Sequence, residues 1–294
     1  MASLKDVKVK IGGVKKTKQI TKAMYMVASA KLRGAQQRIE RFRPYAAKFV
    51  DMLSDLGGQS QDASHPLLAA RDEVKTIGIV LATSDRGLCG SFNVNIITAA
   101  LQFARAKMDE GKAVKFYCVG KKGRDAVRKL EYDFPLAIVN KMNSLDFPMA
   151  ATVANQVMED YLAGTLDEVV MFYGEFVSIA RQVPVRLAIL PVASSAAEDE
   201  GEAAPAQAKD YIYEPDVQGL LAELLPRFVK VQVYRGLLDT SASEHAARMA
   251  AMDNATRNCD EMVESLTLLY NKTRQAGITT DLIDIVGGVE ALKG

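Results

Sequence analysis

Cys89 is the side chain with the most obvious covalent potential, but a reactive thiolate needs a base or a cation beside it. The two histidines, His65 and His245, stand far from Cys89 and from each other along the chain. A small packed residue is therefore the better reading of Cys89. Cys89, Cys118 and Cys259 show no paired spacing, which argues against a disulfide framework and for a reducing compartment. Metal centres require clustered donors, and no such cluster is visible, so no cofactor is expected. The neighbouring acids Asp199 and Glu200 sit in a polar stretch and are expected to be solvated.

Nucleotide chemistry would need a phosphate cradle. The chain has no G-x-x-x-x-G-K-[ST] loop and no G-x-G-x-x-G after its first strand-like run. That position holds Ser84-Asp85-Arg86-Gly87-Leu88-Cys89-Gly90, whose Arg86 and Leu88 suit close backbone approach to a pyrophosphate poorly. Gly120-Lys121-Lys122-Gly123 follows a second strand and precedes a helix, which makes it a weak candidate for an anion site. A coiled-coil protein with a nucleotide-binding α/β domain is the alternative that would need this turn.

The elements that carry these residues are unusual in length. Leu4, Val7, Ile11, Val14, Lys18, Thr21, Tyr25, Ala28, Leu32, Ala35, Ile39, Phe42, Ala46, Phe49, Leu53 and Leu56 recur at steps of three and four. All but Lys18 and Thr21 are apolar or aromatic, so the pattern is a coiled-coil seam. A second seam runs Leu238, Ala242, His245, Met249, Met252, Thr256, Cys259, Val263, Leu266, Tyr270, Thr273. The two helices would reach roughly 80 Å and roughly 105 Å at 1.5 Å per residue. Small and polar members make both seams only moderately apolar, which suits a rod that works surrounded by other protein. Pro44 and Pro226 predict kinks, or at Pro226 a true helix start after a short helix over 216–225. Gly12, Gly13 and Gly34 each weaken the first helix by about 1 kcal/mol relative to alanine.

Between the seams the period changes. Runs at 76–83, 113–119 and 136–140 read as strands, and those at 92–108, 124–130 and 149–162 as helices, which predicts a mostly parallel covered sheet. Runs at 169–177 and 183–192 predict a closely joined antiparallel pair at its edge. The expected organisation is a helix over 1–57, a linker over 58–74 and an α/β (Rossmann-like) domain over 75–193. A flexible acidic linker at 194–210 and a second long helix over 211–294 complete it. The domain would be inserted between two antiparallel helices.

Charge is segregated along the chain. Residues 1–57 hold thirteen Lys or Arg against Asp6, Glu40, Asp51 and Asp55, a balance of +9. The whole chain is +1, so the other 237 residues carry −8. A basic helix on an acidic protein implies an acidic neighbour. Aromatics are sparse along residues 5–48, so a nucleic-acid tether is disfavoured and no nucleic-acid partner is expected. No run approaches eighteen apolar residues and no signal-peptide pattern opens the chain, so a soluble intracellular protein is expected.

Several segments, in order along the whole chain, carry a resemblance. They are Ile20-Thr21-Lys22-Ala23-Met24-Tyr25-Met26-Val27-Ala28, Arg43-Pro44-Tyr45, Ser84–Gly90, Tyr211-Ile212-Tyr213-Glu214-Pro215 and Ser243–Met249. Tyr270-Asn271-Lys272-Thr273-Arg274-Gln275 with Ile278-Thr279 completes the set. Together they resemble the gamma subunit of the F-type ATP synthase. Asp281 replaces the usual glutamate, and Thr273, Gly277 and Val289 also depart from the family's pattern. The inserted cysteine pair of chloroplast-type members is missing, so thiol regulation is not expected.

The resemblance implies the central rotor shaft of a proton-translocating bacterial enzyme, without catalytic residues or direct nucleotide binding of its own. Implied partners are the alpha and beta subunits, the epsilon subunit and the membrane c-ring, at the cytoplasmic face of the cell membrane as a peripheral protein. By the same resemblance Lys22, Met24, Arg248, Gln275 and Thr279 would touch the stator. Tyr211, Tyr213 and Glu214 would touch the membrane ring. Ile278, Leu282, Ile285, Val286 and Val289 would form a tip bearing.

Overall fold

Each long seam becomes one long helix in the computed structural model, which describes residues 3–59, 65–71, 73–192 and 217–292. Helix α1 runs Leu4–Gln59. Strand β1 (Thr76–Ala82), helix α2 (Phe92–Asp109), β2 (Ala113–Val119), α3 (Lys121–Lys129) and β3 (Leu136–Ile138) follow. A 3₁₀ turn at Met142–Ser144 leads to α4 (Phe147–Leu162), β4 (Glu168–Phe176) and β5 (Gln182–Leu190). Helix α5 then spans Val217–Ala291. The chain divides into two compact units, Met1–Ala28 with Met249–Gly294, and Ser29–Arg248.

In the first unit α1 and α5 run antiparallel. Leu4, Val7, Ile11, Val14, Lys18, Thr21, Tyr25 and Ala28 are all buried or half-buried, as are Met249 through Thr273 at every seam position. The two irregular seam residues find polar partners across the pair. Lys18 forms an ion pair with Asp260, and the Thr21 hydroxyl lies 2.8 Å from that of Thr256. Polar groups that lose water at a seam must find partners, and these two do. The last half-buried residue of α5 is Gly277, and every described side chain from Ile278 to Leu292 is exposed.

The second unit holds a five-stranded sheet of order β3-β2-β1-β4-β5. Its first four strands are parallel and β5 pairs antiparallel with β4. Because side chains alternate along a strand, Ile77, Ile79 and Leu81 of β1 face one layer. They join Phe92, Ile96, Ala100 and Ala104 of α2 in the core. The other face meets α4 and α5. Tyr117 donates a hydrogen bond to Asp160 at 2.5 Å, and a Cβ on Gly236 would sit 2.7 Å from Met171 Cε. Within this unit Leu32, Ala35, Ile39, Ala46 and Phe49 of α1 are buried, and Phe42 stacks edge-on against Tyr234 at 4.9 Å.

Several boundaries differ from the sequence expectation. Helix α1 runs through Gly57 and Gly58 to Gln59. Helix α3 begins at Lys121, not Arg124, because protein acceptors cap its first amides. Strand β3 is three residues long. Pro226 lies inside an unbroken α5. Burial of Leu221, Leu225, Phe228 and Val229 around it outweighs the roughly 3 kcal/mol that an interior proline costs.

Two ionisable groups, one buried and one half-buried, pull stability in opposite directions with pH. Burial, with Arg248, Lys31 and Arg38 nearby, pushes His245 down to about 4. Its unfolded form takes up a proton first, so stability is lost as pH falls from about 6.5 towards 4. Asp239 lines a cleft of about 370 Å³ with Ile39, Phe42, Arg43, Glu175 and Arg235. Burial, only partly offset by Arg235 and Arg43 and reinforced by Glu175, pushes it up to about 6. Its contribution is present below about 3.9 and is lost as pH rises through 6. Asp239→Asn is therefore expected to stabilise the protein by about 1–2 kcal/mol at pH 7.5, once solvent screening is allowed for. The gain should vanish near pH 4, as denaturant unfolding at both pH values would test.

Glycine positions separate close packing from open helix. Gly120 has φ +101°, and a Cβ there would lie 2.1 Å from the Thr83 carbonyl oxygen. Gly120→Ala should cost at least about 3 kcal/mol, because backbone cannot yield. A Cβ on Gly277 would meet nothing within 4 Å, so Gly277→Ala should stabilise by about 0.5–1 kcal/mol. Thermal unfolding of the two variants should move in opposite directions.

Candidate functional site

The loop between β1 and α2 is held by side chains, and its first acid is its hub. Asp85 Oδ1 accepts from the backbone N–H of Lys121 at 3.0 Å and of Asn140 at 2.8 Å. Its Oδ2 accepts from Met142 N–H at 3.0 Å. The Ser84 amide donates to Asn93 Oδ1 at 2.9 Å, and the Ser84 hydroxyl donates to the Arg86 carbonyl at 2.6 Å. Leu88 has φ +64° and is 65% exposed.

The same contacts fill the anion candidate. Gly120 N–H donates to the Ile138 carbonyl at 2.8 Å and Lys122 N–H to the Ser84 carbonyl at 3.1 Å. Gly123 N–H donates to Thr83 Oγ1 at 2.8 Å. With Lys121 N–H bound to Asp85, each amide from Gly120 to Gly123 already has a protein acceptor. A helix N-terminus whose first amides are all satisfied by protein acceptors has no donor left for a phosphate.

The candidate nucleophile and base are equally committed. Burial pushes the Cys89 thiol up, partly countered by Arg248, and pushes Cys118 up to about 12. A protonated buried thiol is a poor nucleophile. His65 Nδ1 accepts from the Leu67 amide at 3.2 Å, closing a turn. His245 stays neutral and buried on α5.

The residues assigned to contacts with other subunits fall at separate stations. In the first unit Lys22 is exposed and Met24 half-buried on α1. The pairings Lys18–Asp260 and Thr21–Thr256 place them beside the stretch of α5 near Thr256. Gln275 and Thr279 are exposed on α5, about 30 Å further along the helix by its rise per residue. Thr279 donates its hydroxyl to the Gln275 carbonyl at 2.9 Å. Ile278, Leu282, Ile285, Val286 and Val289 are between 48% and 63% exposed. Arg248 belongs to the second unit and is largely enclosed, with 12% of its side chain exposed. It donates to Glu244 Oε1 at 2.7 Å and to the Gly87 and Arg86 carbonyls at 3.3 and 3.4 Å. Tyr211, Tyr213 and Glu214 lie outside the described residues.

Sequence reasoning missed the Asp85 hub and the Glu244–Arg248 pair. Glu244 and Arg248 do carry a local signal, since an acid four residues before a base shares one helix face. The partners of Asp85 come from 36, 55 and 57 residues away and have no such signal.

The family model described as ATP synthase matches residues 3–292. The chain is 70% identical over 294 residues, the full length of both chains, to the ATP synthase gamma chain of Nitratidesulfovibrio vulgaris (strain Miyazaki F). It is 54% identical over 293 residues, again 100% of both, to that of Lawsonia intracellularis. Among solved structures it is similar to a chain of the central stalk and c-ring of the Tetrahymena thermophila mitochondrial ATP synthase. That match has TM-score 0.60 and 29% identity, over 80% of this chain and 99% of that one. A chain of the Euglena gracilis mitochondrial ATP synthase rotor shares the fold, with TM-score 0.65 and 22% identity, over 94% of this chain and 98% of that one. Two long helices bracketing a mixed sheet, a self-capped loop where a nucleotide would bind, and full-length identity of this degree together establish that the chain belongs to the ATP synthase gamma chain family.

Proposed function

We propose that this chain is the rotating shaft of an ion-driven ATP synthase, a non-catalytic subunit that carries torque between a membrane ring and the catalytic subunits. In this reading residues 1–57 and 211–294 form the shaft and 75–193 the inserted domain, with 58–74 and 194–210 as linkers. The ring around it consists of alpha and beta subunits, an epsilon subunit joins the inserted domain, and protons drive rotation. The complex stands at the cytoplasmic face of a bacterial membrane. No helix among the described residues is long and apolar enough to cross one, and the reading takes attachment to be peripheral.

The observation that carries the reading is the end of α5. From Ile278 onward it continues with no other described segment beside it, and Ile278, Leu282, Ile283, Ile285, Val286, Val289 and Leu292 are exposed. A lone helix that shows such a stripe to water is poorly supported. Full burial of one such side chain is worth about 1.5–3 kcal/mol, so an apolar sleeve would stabilise the overhang strongly. Apolar contact is non-directional and varies little as the shaft turns. Lys22 and Met24 lower down, and Gln275 and Thr279 at the base of the overhang, would supply the orientation-dependent contacts. Differential contact is what shifts a conformational equilibrium, here among the catalytic subunits. The exposed Lys5, Lys8, Lys10, Lys15 and Lys16 of α1 would face acidic surfaces, with surface pairs of only about 0–1 kcal/mol that do not lock rotation.

A tagged copy of the chain purified from membranes should bring alpha and beta subunits in stoichiometric amounts, and their consistent absence would overturn the reading. Deleting residues 284–294 should lower assembly yield and thermal stability while ATP hydrolysis by the assembled complex stays measurable. Complete loss of hydrolysis in a correctly assembled truncation would show that the tip does more than centre the shaft. Tyr213→Ala should weaken attachment to membranes and leave hydrolysis by the detached complex intact. Equal loss of both would refute a ring-specific role for the Tyr211–Glu214 segment.

A further inference from the structure

Arg248 is the last residue of the second unit, and its guanidinium is committed in three directions there. Nη2 serves Glu244 Oε1 at 2.7 Å and reaches the carbonyls of Gly87 at 3.3 Å and Arg86 at 3.4 Å. Nη1 lies 3.5 Å from His245 Nδ1. An arginine can only donate, so this contact is a hydrogen bond in the neutral tautomer that carries its proton on Nε2. His245 is held neutral by burial and by the Arg248 charge itself, which keeps that acceptor available. Glu244 is 5% exposed, and Arg248, with a smaller contribution from Lys31, compensates its charge. A lysine in the same place would offer a point charge in place of this planar fork of donors.

The two carbonyls that Arg248 reaches belong to the loop between β1 and α2. That loop carries Leu88, a non-glycine residue in the left-handed region. Such a conformation persists only where the surroundings over-determine it. Ser84 fixes the Arg86 carbonyl from within the loop, Asn93 donates to Cys89 Sγ at 3.1 Å, and Asp85 ties the loop to α3 and to the segment before α4. All these bonds hold the loop to the sheet and its flanking helices. Only the Arg248 contacts, among the hydrogen bonds of the described residues, tie it to α5.

We infer that Arg248 is a positioning residue that locks the loop after β1 onto α5, so that the sheet and the helix turn as one body. The inference rests on the shaft reading for its purpose but not for its geometry. A hinge at this joint would let the sheet rotate by some angle before α5 followed, and torque would be lost as slack. The pair sits where α5 passes out of the second unit, so slack there would be felt by everything beyond it.

The test compares Arg248→Ala, Arg248→Lys and Leu238→Ala in the assembled complex. Leu238 is buried on α5 and touches none of the loop bonds, so its variant reports general loss of packing. Hydrogen exchange of the amides in 84–92 and protons pumped per ATP hydrolysed are both read. Arg248→Ala should speed loop exchange at least tenfold and lower the pumping ratio several-fold. Arg248→Lys should recover only part of the loop protection lost in Arg248→Ala, and Leu238→Ala should lower thermal stability with loop exchange unchanged. Unchanged loop exchange in Arg248→Ala, or equal loosening in Leu238→Ala, would overturn the clamp. A loosened loop with an unaltered pumping ratio would overturn its role in coupling. If the unsubstituted complex does not pump at all, the shaft reading fails, and loop exchange still decides the clamp separately.

Discussion

A helix can be enclosed on every side only if its side chains leave room for neighbours to approach from all directions. Between Thr240 and Ala246 all seven residues of α5 are at most 5% exposed, and all but Glu244 and His245 are Thr, Ser or Ala. This short stretch lets α1 pack on one flank while the sheet and its loop close the other. Glu244 and His245 are the two large members, and Arg248 serves both of them. Everything else in the second unit depends on this enclosure, since the sheet's second face is covered by α4 and α5. The cost of desolvating the acid is partly offset by Arg248 and Lys31, and that of the imidazole is avoided because His245 stays neutral.

The first unit follows a different rule. Its seam contains Lys18, Thr21, Thr256 and Thr273, and its members are mostly half-buried rather than buried. Hydrogen bonds such as Thr21 to Thr256 satisfy groups that lose water but add only about 1 kcal/mol each. A two-helix pair of this composition is marginal in isolation, and its continuation past Gly277 as a single helix is weaker still. In the proposed shaft the surrounding subunits supply the missing burial, which makes the rod dependent on the assembly it serves.

The seams were legible because a step of three and four is a local pattern. Every described position of both predicted seams is buried or half-buried, including the two polar exceptions. The strands were legible for the same reason, with β1, β2, β4 and β5 each within two residues of the expected bounds. Helix α3 was placed late because Lys121, Lys122 and Gly123 show no apolar period, and Val127 is the only large apolar residue of that helix to be buried. Its start is set by Asp85, a residue 36 positions away. Pro226 was read as a kink or a helix start because proline weakens an isolated helix, and the packing of Leu225 and Val229 that carries the helix through it is tertiary. The contact roles of Lys22, Met24, Gln275 and Thr279 came from resemblance, since nothing in their own spacing distinguishes them from other helical residues outside the seams.

In the proposed shaft the two kinds of interaction divide along the chain as rotation would require. Among the described residues directional side-chain bonds are concentrated in the second unit, where Asp85 accepts three backbone donors and Arg248 reaches four acceptors. Directional bonds resist angular displacement, because a hydrogen bond weakens steeply once its geometry bends. Beyond Gly277 the exposed stripe is aliphatic, and aliphatic contact has almost no angular preference. A shaft must be stiff where torque enters and free to slip where it is held. If the order were reversed, with aliphatic contact at the sheet and hydrogen bonds at the tip, the sheet would slide on its helix and the tip would bind its sleeve. The placement of Arg248 at one end of the joint and of Ile278 at the start of the free helix separates those two demands on a single continuous α5.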